Sequence, residues 1–142
     1  MLQTLTIYTD GGSRGNPGNA GVGVVVYNQA GDVVYEASQF LGIKTNNEAE
    51  YQGFLISLEW LLPYSSDHQL DKVIWKLDSK LVVEQLNKNW KIKEPRMRKL
   101  AEEIWHKMTP LSCEYTIVHI PRSENAEADA LANQAMDAGA LS

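Results

Sequence analysis

Cysteine occurs once in these 142 residues, at Cys113. A single thiol excludes an intrachain disulfide and a cysteine-ligated zinc centre, fits a reducing compartment, and reads as a core position beside a strand. No apolar run approaches the length of a membrane span, and Met1-Leu2-Gln3 leads straight into strand pattern without a basic region or cleavage site. The expectation is a soluble, cytoplasmic chain with no membrane partner. Internal repeats, low-complexity tracts and long linkers are also missing. With 44% hydrophobic residues, the chain is long enough for one domain over 1–142 with a real core and too short for two.

Positive charge is scarce overall, with 13 Lys and Arg against 18 Asp and Glu and a net charge of −5. That balance argues against phosphate binding by total charge. The distribution says more. Lys88, Lys91, Lys93, Arg96, Arg98 and Lys99 face a single Glu94 within residues 88–99, which leaves this segment at +5 and the remainder at −10. Trp90 lies among them. Two readings stand: a solvated helix face, or a phosphate-tracking patch with an aromatic contact.

Periodicity gives an alternating layout. Strands are expected near 2–10, 20–28 and 32–42, the last two joined by a hairpin at Asn28-Gln29-Ala30-Gly31. A helix follows from Asn47 to Leu62, with Tyr51, Leu55, Leu58 and Leu62 on one face and Pro63 marking its end. Then come a strand near 72–78, a helix near 79–88, a helix near 95–108, a strand near 113–120 and a helix near 124–137. Three meandering strands followed by strand-helix alternation imply an α/β fold, a mixed sheet with helices on both faces.

Four carboxylates stand out. Asp10 sits where the strand alternation of Leu5, Ile7 and Thr9 breaks into Gly11-Gly12-Ser13-Arg14-Gly15-Asn16-Pro17-Gly18, placing it at a strand end before a glycine-rich hairpin loop. It is either an Asp-Gly turn residue or a metal ligand that a cation and a phosphate backbone can approach. Glu50 lies in Thr45-Asn46-Asn47-Glu48-Ala49-Glu50, Asp78 in Trp75-Lys76-Leu77-Asp78-Ser79, and Asp129 in Asn125-Ala126-Glu127-Ala128-Asp129. Thr45, Asn46 and Asn47 stand at a helix N-terminus, where they can cap the helix, hold an anion, or do both.

Through these motifs the chain resembles a type 1 ribonuclease H along nearly its whole length. The resemblance implies a five-stranded mixed sheet in the order 3-2-1-4-5. It also implies an endoribonuclease that cuts the RNA strand of RNA/DNA hybrids, leaving 5′-phosphate and 3′-hydroxyl ends. Asp10, Glu50, Asp78 and Asp129 would be the catalytic set holding two Mg²⁺ ions, with Mn²⁺ the other candidate. The family pattern Thr-Asn-Asn-x-Ala-Glu selects Glu50. Glu48 projects about 200° away on the helix and would serve only the helix dipole. Thr45 and Asn46 would contact the DNA strand, and Asn16 the minor groove, where 2′-hydroxyls mark RNA.

Two departures from the family bear on function. The segment Val118-His119-Ile120-Pro121-Arg122-Ser123-Glu124-Asn125 is shorter than the family's glycine-rich, histidine-bearing loop. Arg122 takes the place nearest the missing histidine and would aid product release electrostatically, since arginine is no base at neutral pH. His119 is the competitor, read as a strand residue. The 88–99 segment is also shorter than the basic protrusion of some relatives, and no separate hybrid-binding domain is expected. Trp90, Lys91 and Lys93 are the candidates for holding the DNA strand, Trp90 either by base stacking or as a packing hinge. A monomer without an obligate protein partner is expected. The alternatives are a silent hybrid-binding module, which would be expected to lose a carboxylate, and a junction-resolvase or integrase core of the same broad fold.

Overall fold

The computed structural model describes residues 3–140; Leu2, the first residue of the expected opening strand, lies outside them. Five strands form one sheet: β1 (Thr4–Gly15), β2 (Gly18–Tyr27), β3 (Val33–Lys44), β4 (Lys72–Leu77) and β5 (Glu114–His119), in the order β3-β2-β1-β4-β5. β1, β2 and β3 are antiparallel neighbours, while β4 runs parallel to both β1 and β5. Helices α1 (Asn46–Asp67), α2 (Lys80–Leu86) and α3 (Pro95–Met108) gather on one face, and α4 (Ala126–Ala140) packs on the other against β1, β2 and β3. None of these helices is long and apolar enough to cross a membrane.

β2 is covered on both sides, which explains its unbroken apolar run. Val22, Val24 and Val26 are fully buried, and Val22 packs beside Gly53 of α1. On the opposite side, Gly21 and Gly23 let α4 come close: a Cβ on Gly23 would stand 2.0 Å from the Ala128 carbonyl oxygen. Under α1, Phe54 packs on Trp75 with ring centroids 4.6 Å apart, and the Trp75 indole donates to Ser57 Oγ at 2.9 Å, so the largest buried side chain leaves no polar atom unpaired.

Two expected boundaries are wrong for physical reasons. The glycine-rich stretch is not a loop: β1 continues past Asp10 to Gly15, paired residue by residue with β2, and turns only at Asn16 and Pro17. Asp10 is therefore inside a strand, not at its end. Gly11 and Gly12, which read as turn residues, lie instead against α1 and α4, while Gly15 and Gly18 do flank the turn. Pro63 does not end α1, which runs on to Asp67. The proline removes one helical hydrogen bond, but it is exposed, as is Glu59, the residue whose carbonyl loses that partner. A ring stack holds the turn beyond it: Tyr35 on Trp60, Trp60 on Tyr64 and Tyr64 on His68, with Gln3 donating to the Tyr64 hydroxyl. Smaller shifts also have causes. Lys88 adopts a left-handed φ of 65°, so α2 stops at Leu86. Residues 122–124 form a separate 3₁₀ turn before α4 begins.

The close contact at Gly23 generates a test. Gly23→Ala should destabilise the protein by about 2–3 kcal/mol in urea unfolding, because the added methyl meets backbone that cannot yield without shifting α4. A loss below about 0.5 kcal/mol would mean that α4 docks more loosely than the geometry implies.

Candidate active site

Parallel pairing of β1 with β4 ends at Thr9↔Leu77, so the next residues, Asp10 and Asp78, emerge side by side where the two strands part. Glu50 comes from α1, which approaches β1 because Gly11 has no side chain: a Cβ there would lie 2.2 Å from the Ala49 carbonyl oxygen. The Gly11 N–H donates to Glu50 Oε1 at 3.3 Å. One carboxylate oxygen each from Asp10, Glu50 and Asp78 lie within 4.8 Å of one another. These three form part of the wall of a cavity of about 540 Å³, with Arg14, Arg122 and Asp129 also on its lining.

Asp129 takes a rim position in the first turn of α4, outside the tight trio, with Arg122 Nη2 3.7 Å from its Oδ1. Arg122 is largely exposed and lines the cavity; His119, at the exposed end of β5, does not. Glu124 and Glu127 are exposed, as expected of solvated charges.

Two acids buried side by side, with the half-buried Asp78 next to them, cannot both stay ionised cheaply. Burial first, then the negative charges of Asp78 and Asp129, push Asp10 up to about 7, against a lowering contribution from its hydrogen bond with Glu50. Glu50 rises well above the ordinary carboxylate range, by burial first and by the Asp10 charge second. Glu50 Oε2 is buried without a hydrogen-bond partner. Three clustered carboxylates, one of them with an orphaned oxygen, are a set of hard donors that suits a divalent cation such as Mg²⁺ or Mn²⁺. The residues present fit a metal.

The neighbouring motif residues hold the frame. Thr45 Oγ1 accepts from the Glu48 N–H while Glu48 Oε1 accepts from the Thr45 N–H, a reciprocal cap, so Glu48 is the capping acid and Glu50 the cavity acid. Asn46 Oδ1 accepts from the Ser13 N–H at 2.8 Å, and the Asn46 N–H donates to Asn16 Oδ1 at 3.1 Å, fastening the β1–β2 hairpin tip to the start of α1. Asn16, Thr45, Asn47 and Arg96 border a second hollow of about 430 Å³ beside the first. Trp90, Lys91 and Lys93 are exposed and outside both.

Sequence reading missed two residues. Asn125 is fully buried, and its Nδ2 donates to the Thr9 carbonyl at 2.9 Å and to Asp78 Oδ2 at 3.3 Å, while its main-chain carbonyl accepts from the Asp129 N–H. It thus ties β1, Asp78 and the start of α4 together. Its place just before a helix signals a cap, and nothing in the sequence signals the Asp78 contact. Arg14 pairs with Asp137 and donates to Asn133 Oδ1 at 3.2 Å, joining the hairpin to α4 at the cavity edge.

The raised carboxyls fix how metal-free stability depends on pH. The folded chain keeps protons that the unfolded chain has lost between the ordinary carboxylate range and about 7, so stability falls as pH rises through that window. With a chelator present, Asp10→Asn should raise the melting temperature by roughly 5 °C or more at about pH 7.5 and change it little at about pH 4. Equal shifts at both pH values would show that Asp10 carries no such burden.

Comparison with known proteins agrees with this geometry. The model of the reverse transcriptase-like family matches residues 8–135. A bifunctional protein of Mycobacterium tuberculosis is 40% identical over 142 residues, covering 97% of this chain and 37% of its own length. Ribonuclease HI of Halobacterium salinarum is 38% identical over 130 residues, covering 92% of this chain and 63% of its own. The chain thus spans only part of these relatives. The solved structure of LC11-RNase H1 in complex with an RNA/DNA hybrid superposes with a TM-score of 0.90 at 40% identity, covering 97% of this chain and 99% of that one. With the sheet order, the acidic trio and these matches in agreement, the chain belongs to the type 1 ribonuclease H family.

Proposed function

We propose that this protein is a metal-dependent endoribonuclease that hydrolyses the RNA strand of RNA/DNA hybrids, leaving 5′-phosphate and 3′-hydroxyl ends. The observation that carries this reading is the trio of carboxylates, with oxygens within 4.8 Å, opening into a polar cavity beside the start of α1. LC11-RNase H1, of similar fold over nearly the whole chain, is solved with such a hybrid, which supports the substrate class. Cytoplasmic action as a monomer completes the proposal.

Asp10, Glu50 and Asp78 would hold Mg²⁺, with Mn²⁺ the alternative, and Asp129 would join from the rim. Bound there, the ions supply the positive charge that activates an attacking water and stabilises the leaving oxygen. The chain's own groups do the positioning. Gly11 N–H and Asn125 Nδ2 orient the Glu50 and Asp78 carboxylates before substrate arrives. Arg122 sets a fixed positive charge beside Asp129, where it can attract a phosphate and assist product departure without a proton transfer. Asn16, Thr45 and Asn46 present a polar, capped helix start to the hybrid, while Trp90, Lys91 and Lys93 supply charge and a ring for the DNA strand.

Labelled hybrid, single-stranded RNA, double-stranded RNA and double-stranded DNA, each with and without Mg²⁺, test the proposal. Cleavage of the hybrid's RNA strand alone is expected, and an intact hybrid would end the reading. Glu50→Gln should lower kcat by about two orders of magnitude or more, since it removes a metal-binding anion. Glu48→Gln should remain near wild type, because glutamine can still accept the Thr45 N–H bond. The reverse pattern would assign the chemistry to the wrong glutamate.

The basic segment gives a separate expectation. Lys91→Ala with Lys93→Ala should raise KM severalfold and flatten the slope of log affinity against log salt by up to about 1.8, as two phosphate contacts are lost. Turnover at saturating hybrid should stay within about twofold, because these groups would bind ground and transition states alike. Loss of turnover with an unchanged salt slope would exclude a binding role.

A further inference from the structure

We infer that Gln85 is a positioning residue for substrate binding: a buried Tyr51–Gln85–Lys91 relay fixes the basic segment so that Lys91 and Lys93 face outward together. The inference rests on the binding role proposed above for those lysines.

The segment between α2 and α3 has neither helix nor strand, yet it carries exposed lysines at 91 and 93 around a buried Ile92. Its first half is held by its own backbone: Lys88 N–H donates to the Gln85 carbonyl, and Asn89 and Trp90 N–H groups donate to the Glu84 carbonyl. At Lys91 the tie changes character. Gln85 Nε2 donates to the Lys91 carbonyl at 3.1 Å, and Gln85 Oε1 accepts from the Tyr51 hydroxyl at 2.6 Å. The amide can sit only this way round, because a carbonyl accepts and never donates. Gln85 is 4% exposed and Tyr51 fully buried, so the bond between them lies in a low-dielectric setting where losing it is costly, while the bond to the Lys91 carbonyl is part-buried. Tyr51 belongs to α1 and to the buried core, so the relay ties an irregular surface segment to the packed interior of the molecule. Rigid presentation matters for affinity: a floppy segment would lose ordering entropy each time the hybrid bound.

The test uses Gln85→Met, similar in length and without hydrogen-bonding capacity, and the double variant Tyr51→Phe/Gln85→Met, which leaves no orphaned buried hydroxyl and so protects the fold. KM for a labelled hybrid should rise roughly fivefold in both variants, with kcat at saturation within about twofold, since only presentation of the binding groups changes. Without substrate, trypsin should cut after Lys91 or Lys93 about tenfold faster than in the wild type, because the segment opens locally more often. A relay that merely stabilised the fold would lower the melting temperature and leave KM and the cleavage rate at these lysines unchanged. That result overturns the inference, as does a fall in kcat with KM unaltered. Lys91→Ala/Lys93→Ala separates the two levels: if that change leaves KM unaltered, the binding role of the segment fails, and the trypsin rate still decides whether Gln85 anchors it.

Discussion

Asp10 and Glu50 are forced together in a nearly buried space, and much of the molecule is arranged around that repulsion. Among the described residues neither acid has a basic partner, and burial combined with like charge lifts both well above ordinary carboxylate behaviour. A protein selected for stability alone would place a hydrocarbon or an ion pair there. The site instead keeps concentrated negative charge with an unpaired oxygen at Glu50, so the free energy of the cluster is recovered only when positive charge arrives.

The rest of the fold supplies rigidity against that strain. Gly11 and Gly23 remove side chains at the two places where helices press on the sheet, bringing α1 and α4 close enough for Glu50 and Asp129 to reach opposite sides of Asp10's strand. Asn125 then spans the gap between β1 and Asp78 with one amide, so that the two strand-borne acids cannot drift apart independently. The Trp75, Phe54 and Tyr51 core lies directly beneath. Its aromatic area provides the burial that offsets an expensive polar centre.

Charge is segregated in the same spirit. The acids that define the cavity and the cations of residues 88–99 occupy different regions, so a protein of net charge −5 still carries a locally positive segment. Had the lysines bordered the cavity, they would have neutralised the trio's concentrated negative charge. Arg122 and Arg14 are the two cations on the cavity wall, and each is already engaged with an aspartate of α4.

The sequence by itself determined the strand and helix order, because hydrophobic period is a local property of the chain, while the four acidic motifs and the choice of Glu50 over Glu48 were read through the family resemblance. It misjudged the glycines after Asp10 and the proline at 63, because a turn-forming residue and a residue that admits a neighbouring helix look the same in one dimension. Only the packed structure distinguishes them: Gly11 sits in a strand under Ala49, and Pro63 sits in a helix whose next turn is held by stacked rings. Asn125 and Gln85 were invisible for a related reason. An amide's role is set by what lies within about 3 Å of it, and their partners Thr9, Asp78 and Tyr51 are brought there by the tertiary fold from distant parts of the chain.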